Sequence, residues 1–256
     1  MENLKVSSSV VKTNQEIELM KISGRICAQA LKKVLENVKI GVTCFALDKI
    51  AKQEIEKKGA TPSFMTVDNY KWTICTTVNQ QVVHGIPNKQ SLKNGDILGI
   101  DIGALYHDFH SDMAITIPIG KISPAVEKFL ATGKKTLEKA IDCARIGNRI
   151  GDISATIQRN IESAGYSIVK SLTGHGIGRE LHEEPMIPGF GKSGTGPKIL
   201  ENMVLAIEVI YTQGLGEVKL EKDNWTILSV DGSLAGLFEQ TVLITGNGPI
   251  VLTPYL

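Results

Sequence analysis

Four carboxylates set inside apolar runs constrain this chain more than any other feature. Asp101 lies in ILGIDIGAL, Asp112 in FHSDMAITI, Glu208 in VLAIEVIY and Glu239 in LFEQTVLI. Each run is rich in β-branched and apolar residues and reads as a buried strand. An unpaired carboxylate taken out of water costs several kcal/mol. A single one reads equally well as an edge position or as half of a buried ion pair. Four in a chain with few arginines do not. The fold has to bring these strands together around something positive, and a metal centre meets that need.

A glycine-flanked histidine completes the set. The stretch GHGIGRELHEEP (174–185) holds His175 and His182, with Gly174, Gly176 and Gly178 between and around them. Each glycine costs a helix about 1 kcal/mol relative to alanine, so no helix crosses His175. A strand or turn carrying His175 is expected, then a loop carrying His182. The glycines allow another group to approach closely and are expected to act as a flexible joint between the two histidines. A lone histidine here would read as a polar surface loop.

Asp101 and Asp112 are eleven residues apart with the polar turn HDFH between them, which predicts facing positions on a hairpin. Glu208 and Glu239 can face each other across a longer connection. With His175, the five donors are too many and too rich in oxygen for one tetrahedral zinc. They suit two divalent ions bridged by carboxylates and water. Mn²⁺, Fe²⁺ or Co²⁺ is favoured by the oxygen donors, with Zn²⁺ retained as an alternative.

The rest of the chain is organised as helix, helix, strands, twice over. Residues 1–13 read as a loose arm. Thr13 or Asn14 caps a helix through Ile17, Met20 and Leu31. Thr43 caps a second that stops at Gly59. Short strand-like runs follow from 61 to 119. Ser123-Pro124 starts a third helix running to about Ala144, and a fourth spans about Asp152 to Ala164. Strands return in YSIVKSL, MVLAIEVIY, WTILSV and LFEQTVLIT. A shift of 106 lays residues 40–59 over 146–165, pairing Gly41 with Gly147, Leu47 with Ile153 and Gly59 with Gly165. The expectation is an α+β fold of duplicated halves, about 14–120 and 121–256. They share one curved antiparallel sheet covered by helices, with the site in the concavity. No linker separates the halves.

Composition narrows the class. The net charge of +1 shows no basic surplus pointing to nucleic acid. No run of 18 apolar residues predicts a membrane span, and MENLKVSSSVVKT lacks the apolar core of a signal peptide. Cys27, Cys44, Cys75 and Cys143 show no CxxC spacing, which argues against structural zinc and disulfides and fits a reducing cytoplasm.

The order Asp101, Asp112, His175, Glu208, Glu239, with VVHGIP before it and GHGIG…HEEP within it, resembles a methionine aminopeptidase of the pita-bread fold. The resemblance runs from about residue 14 to the end. The short gap between Glu208 and Glu239 leaves no room for the helical insertion of type II enzymes, so the chain resembles type I. The lack of an N-terminal cysteine-rich zinc region implies a bacterial-style minimal form. The resemblance implies removal of the initiator methionine, with nascent polypeptide N-termini as partners near the ribosome exit tunnel. A cytoplasmic monomer is expected, with no nucleic-acid specificity and no membrane.

The resemblance also assigns roles. Asp101, Asp112, His175, Glu208 and Glu239 hold two ions, of Co, Mn, Fe or Zn. Glu208 also takes the proton of the attacking water. His182 donates to the developing oxyanion. His84, in VVHGIP, bonds the scissile amide nitrogen or the peptide backbone. Tyr70, Cys75 and Trp225 match positions of the methionine pocket. Phe64, Val67 and Leu181 depart from the residues usual there, which bears on pocket shape. Val209 and Gln240 depart from a usual proline and histidine beside the glutamates, where neighbouring groups aim the ligands. His107 and His110 read as solvated turn residues. A prolidase or aminopeptidase P shares the five donors but usually carries a substantial N-terminal domain. A peptide-binding pseudoenzyme on the same fold would be expected to have lost donors.

Overall fold

The structure, a computed structural model, describes residues 10–256. Its helices are α1 (Asn14–Leu35), α2 (Cys44–Lys57), α3 (Pro124–Cys143) and α4 (Ile150–Ser163). The first half carries strands β1 (Thr61–Pro62), β2 (Ile74–Val78), β3 (Gln81–Val83), β4 (Ile97–Tyr106) and β5 (Phe109–Pro118). The second carries β6 (Ser167–Ile168), β7 (Thr173–Gly176), β8 (Glu183–Pro188), β9 (Val204–Thr212), β10 (Val218–Leu220), β11 (Ile227–Ser229), β12 (Ala235–Thr245) and β13 (Gly248–Val251).

Helix starts follow the capping chemistry. Thr13 accepts from the Glu16 amide, and the Glu16 carboxylate accepts from Thr13 N–H at 2.9 Å. Thr43 and Ser123 cap α2 and α3 through their hydroxyls. α4 begins two residues earlier than expected, because the Asp152 carboxylate reaches back to Arg149 N–H at 2.8 Å and serves as the cap acceptor. YSIVKSL is strand only at Ser167–Ile168 and then turns.

The main sheet runs β1-β4-β5-β12-β9-β7-β8, with β2 beside β4, β6 beside β9 and β13 beside β12; all these pairings are antiparallel. Strands of the two halves meet at β5 and β12. Period-2 alternation then divides the sheet. Leu98, Ile100, Ile102 and Ala104 of β4 turn to α1 and α2, where Cys27 Sγ and Ser23 Oγ reach the Ile102 and Ala104 carbonyls at 3.1 and 2.9 Å. Ile207, Val209 and Tyr211 of β9 turn to α3 and α4, and the Tyr211 hydroxyl donates to Phe129 O at 2.6 Å. The opposite face carries the carboxylates.

The halves match in detail. Gly59 and Gly165 follow α2 and α4 at φ 75° and 86°, the left-handed turn that glycine adopts without penalty. The residues capping those helices, Thr43 and Arg149, each make an isolated bridge, to Ser91 and to Lys198. Of the expected arm, residues 1–9 lie outside the described residues. The residues after them are anchored: Val11 bridges Met203, and Lys12 is buried.

Candidate active site

Sheet register assembles the five donors. Asp101 pairs with Ala114, Ala114 with Glu239, and Glu239 with Glu208, so three carboxylates lie in one row across four strands. Two residues along each strand, on the same face, is a second row. There Gly103 pairs with Asp112, Thr241 with Ala206, and Ala206 with His175. Thr241 joins the pieces, its hydroxyl accepting from Asp112 N–H at 2.9 Å and donating to Asp112 O at 2.7 Å. Small residues stand between the donors, leaving the space above them open. Asp101 and Asp112 therefore sit diagonally on the hairpin, two residue pairs out of register on the same face, and do not face each other as their spacing suggested. Glu208 and Glu239 do face each other.

The donors suit cations. Donor atoms of Asp112, His175 and Glu239 all lie within 4.8 Å of one another. Asp101 Oδ1, Asp112 Oδ1 and Glu239 Oε1 are buried with no hydrogen-bond partner in the structure. Among the described residues, no lysine or arginine pairs with any of the four carboxylates; Glu239 meets His175 Nε2 at 4.0 Å. Burial pushes Asp101 up to about 7, and burial together with the charge of Asp101 pushes Glu208 up to about 8. Asp112 and Glu239 are pushed well up by burial and by their neighbouring carboxylates. Burial also lowers His175 to about 4, so its imidazole is neutral at pH 7. Its Nδ1 lies 2.9 Å from Gly176 O, which leaves Nε2 to act as a ligand. Orphaned acceptors beside a neutral imidazole are a donor set that divalent cations fit.

A cavity of about 370 Å³ opens over these donors. Phe64, Val67, Tyr70, Cys75, Leu181, Trp225, His84 and His182 all line it. Tyr70 is held at both ends: its ring meets Trp225 edge-on at 5.0 Å, and its hydroxyl donates to Ile74 O and Cys75 Sγ at 2.9 and 3.1 Å. Burial pushes the Cys75 thiol well up, so it stays an uncharged, polarisable wall. His182 packs against His175 with ring centroids 4.4 Å apart. Burial lowers His84 and His182, so both are neutral hydrogen-bonding groups at the cavity rim. His84 stands at φ 55°, where its backbone turns off β3, and Gly85 follows because a Cβ there would meet Thr76 O at 2.1 Å.

Three expectations are corrected. His110 is not a solvated turn residue. It is buried one step into β5, 2.6 Å from Ser63 Oγ, and burial lowers it to about 4; only His107 of that pair is exposed in the turn. The glycines of GHGIG are not a flexible joint. Cβ atoms at Gly174 and Gly176 would lie 2.7 and 2.2 Å from the Ala206 and Glu184 carbonyl oxygens, so these positions let strands pack closely. Val209 and Gln240 are neighbours of the glutamates in sequence but point to the other face. Val209 is buried under α3, and Gln240 donates to Thr253 O at 3.0 Å. Ile210, Leu237 and Met186 line the cavity unforeseen. For Ile210 and Leu237 the signal was present, since each lies two residues from a glutamate on its strand.

Residues 18–245 match metallopeptidase family M24. The chain is 43% identical over 244 residues to a methionine aminopeptidase of Clostridium perfringens, covering 95% of this chain and 98% of that protein. Its fold superimposes on the crystal structure of a methionine aminopeptidase from Thermotoga maritima with a TM-score of 0.93 at 39% identity, covering 95% and 98% of the two chains. A prolidase from Pyrococcus furiosus shares the fold, with a TM-score of 0.79 at 23% identity, and this chain spans 66% of that one.

Proposed function

The chain belongs to metallopeptidase family M24 and, within it, to the methionine aminopeptidases; on that premise we propose that it removes the initiator methionine from nascent polypeptide N-termini in the cytoplasm. The observation that carries the reading is the joining of two features. Five donors converge on one sheet face, and a cavity with apolar, sulfur-containing and aromatic walls opens directly above them. The fold is shared with prolidases, but near-full-length identity is with proteins named methionine aminopeptidase.

Asp101, Asp112, His175, Glu208 and Glu239 would hold two divalent ions. When bound, these would supply Lewis-acid polarisation and lower the pKa of a nucleophilic water. The chain's own residues do the rest. Tyr70, Cys75, Trp225, Phe64 and Val67 hold the methionine side chain, whose flexible thioether fits soft walls. Glu208 accepts the proton of the attacking water and passes it to the departing amine. The neutral His182 imidazole donates to the oxygen on which negative charge develops. His84 bonds the scissile amide or the adjoining backbone and fixes the peptide's direction. A monomer working near the ribosome exit tunnel is part of this reading.

The test uses purified protein with Mn²⁺, Fe²⁺ or Co²⁺ on the peptides Met-Ala-Ser and Ala-Pro. Methionine release from the first, with no cleavage of the second, is expected. Failure to release methionine with every metal would overturn the reading.

A further inference from the structure

The loop that presents His182 has no ladder to hold it. Between β7 and β8, after Ile177 N–H donates to Val204 O at 3.1 Å, residues 178–182 form bends only. Yet the rim imidazole must keep its place beside His175. The fixing contacts come from outside the loop. Lys12 Nζ pairs with Glu183 Oε2, with side chains only 5% and 9% exposed. The other oxygen of Glu183 accepts from Glu180 N–H at 3.2 Å, so this carboxylate crosses the base of the loop. Lys12 is itself secured, its N–H donating to Asn202 O at 2.9 Å. The loop accommodates it through a missing side chain. A Cβ at Gly178 would stand 2.6 Å from Lys12 Nζ and 2.7 Å from Glu183 Oε1. From the other side, His110 N–H donates to Gly178 O at 2.8 Å.

We propose that Lys12 is a positioning residue: its ion pair with Glu183 clamps the 178–183 loop and so sets the height and direction of His182 over the site. A buried ion pair is a costly device for stability alone, since apolar replacements often serve as well, but it fixes geometry sharply. The proposal rests on the role given to His182 above.

The test takes the full chain with Mn²⁺ on Met-Ala-Ser. Lys12→Met is expected to lower kcat roughly 10- to 100-fold, the cost of a small misplacement, with KM within about threefold and Mn²⁺ affinity unchanged. Lys12→Arg is expected to keep most activity. In a His182→Ala background the further loss from Lys12→Met should be under about twofold, because both changes remove one contribution. Wild-type kcat in Lys12→Met, or losses that multiply fully in the double variant, would overturn the clamp. Glu183→Gln provides the same readings should Lys12→Met fold poorly. Amide exchange at 178–183 separates this proposal from the assigned reaction. Faster exchange in Lys12→Met supports the clamp even if wild type releases no methionine, and unchanged exchange overturns it.

Discussion

His182 lines the cavity beside the cluster of Asp112, His175 and Glu239 and stands outside it. Its ring lies edge-on to His175, and it stands at the rim while His175 is buried on the sheet. Removing it should therefore leave ion binding intact. His182→Ala is expected to lose roughly 10²- to 10³-fold in kcat, the usual effect of deleting one oxyanion donor. Metal titration of the same variant should match wild type; loss of metal there would make His182 a ligand. His110 carries the opposite lesson. Two residues beyond Tyr106-His107 the chain has already re-entered the sheet, so its imidazole is dry and bonded to Ser63. Its flanking turn residues gave no sign of that, because burial depends on what packs over β5 from elsewhere in the chain.

Elements transmit order to the pocket. Asp48 on α2 is buried and accepts from Thr73 and Ile74 N–H at 2.7 and 3.2 Å, which ties the start of β2 to the helix layer. β2 in turn carries Cys75, and Ile74 O receives the Tyr70 hydroxyl. Asp48→Ala should leave two buried donors unsatisfied, at about 1–3 kcal/mol each. The variant should show a lower denaturation midpoint in urea and a raised KM for methionyl peptides. Asp48→Asn, which keeps an acceptor, should lose less on both counts. The helices themselves were legible, since Thr13, Thr43 and Ser123 cap where their side chains permit. The glycines of GHGIG were legible as a site where something approaches closely. What approaches, the carbonyls of Ala206 and Glu184, comes from partner strands that local sequence does not name.

At the scale of the whole molecule, the sheet concentrates like charges in one dry place, and this makes stability depend on metal and pH. In the metal-free chain Asp101 and Glu208 are raised from ordinary values of 3.8 and 4.5 to about 7 and about 8. The folded chain then holds protons that the unfolded chain releases. The stability that these two groups contribute is full below the ordinary carboxylate range and is lost as pH rises through about 7 to 8. Chelator-treated protein should melt at a lower temperature at pH 8 than at pH 6. Added Mn²⁺ should raise the melting temperature more at the higher pH. A pH-independent melting temperature in the stripped protein would contradict this account of the site.

The sequence by itself determined the inventory: which carboxylates lie in apolar strands, which histidine is flanked by glycine, where helices begin, and that the pattern is repeated. These follow from local rules of solvation, capping and periodicity, which act over a few residues. Only the tertiary structure decided the register that sets Asp101, Glu239 and Glu208 in one row and Asp112 and His175 in the next. It alone decided that Val209 and Gln240 face away, and that Lys12 reaches Glu183 across 171 positions of chain. Pairing between distant strands depends on packing of the whole sheet against its helices, and no short stretch of chain contains that information.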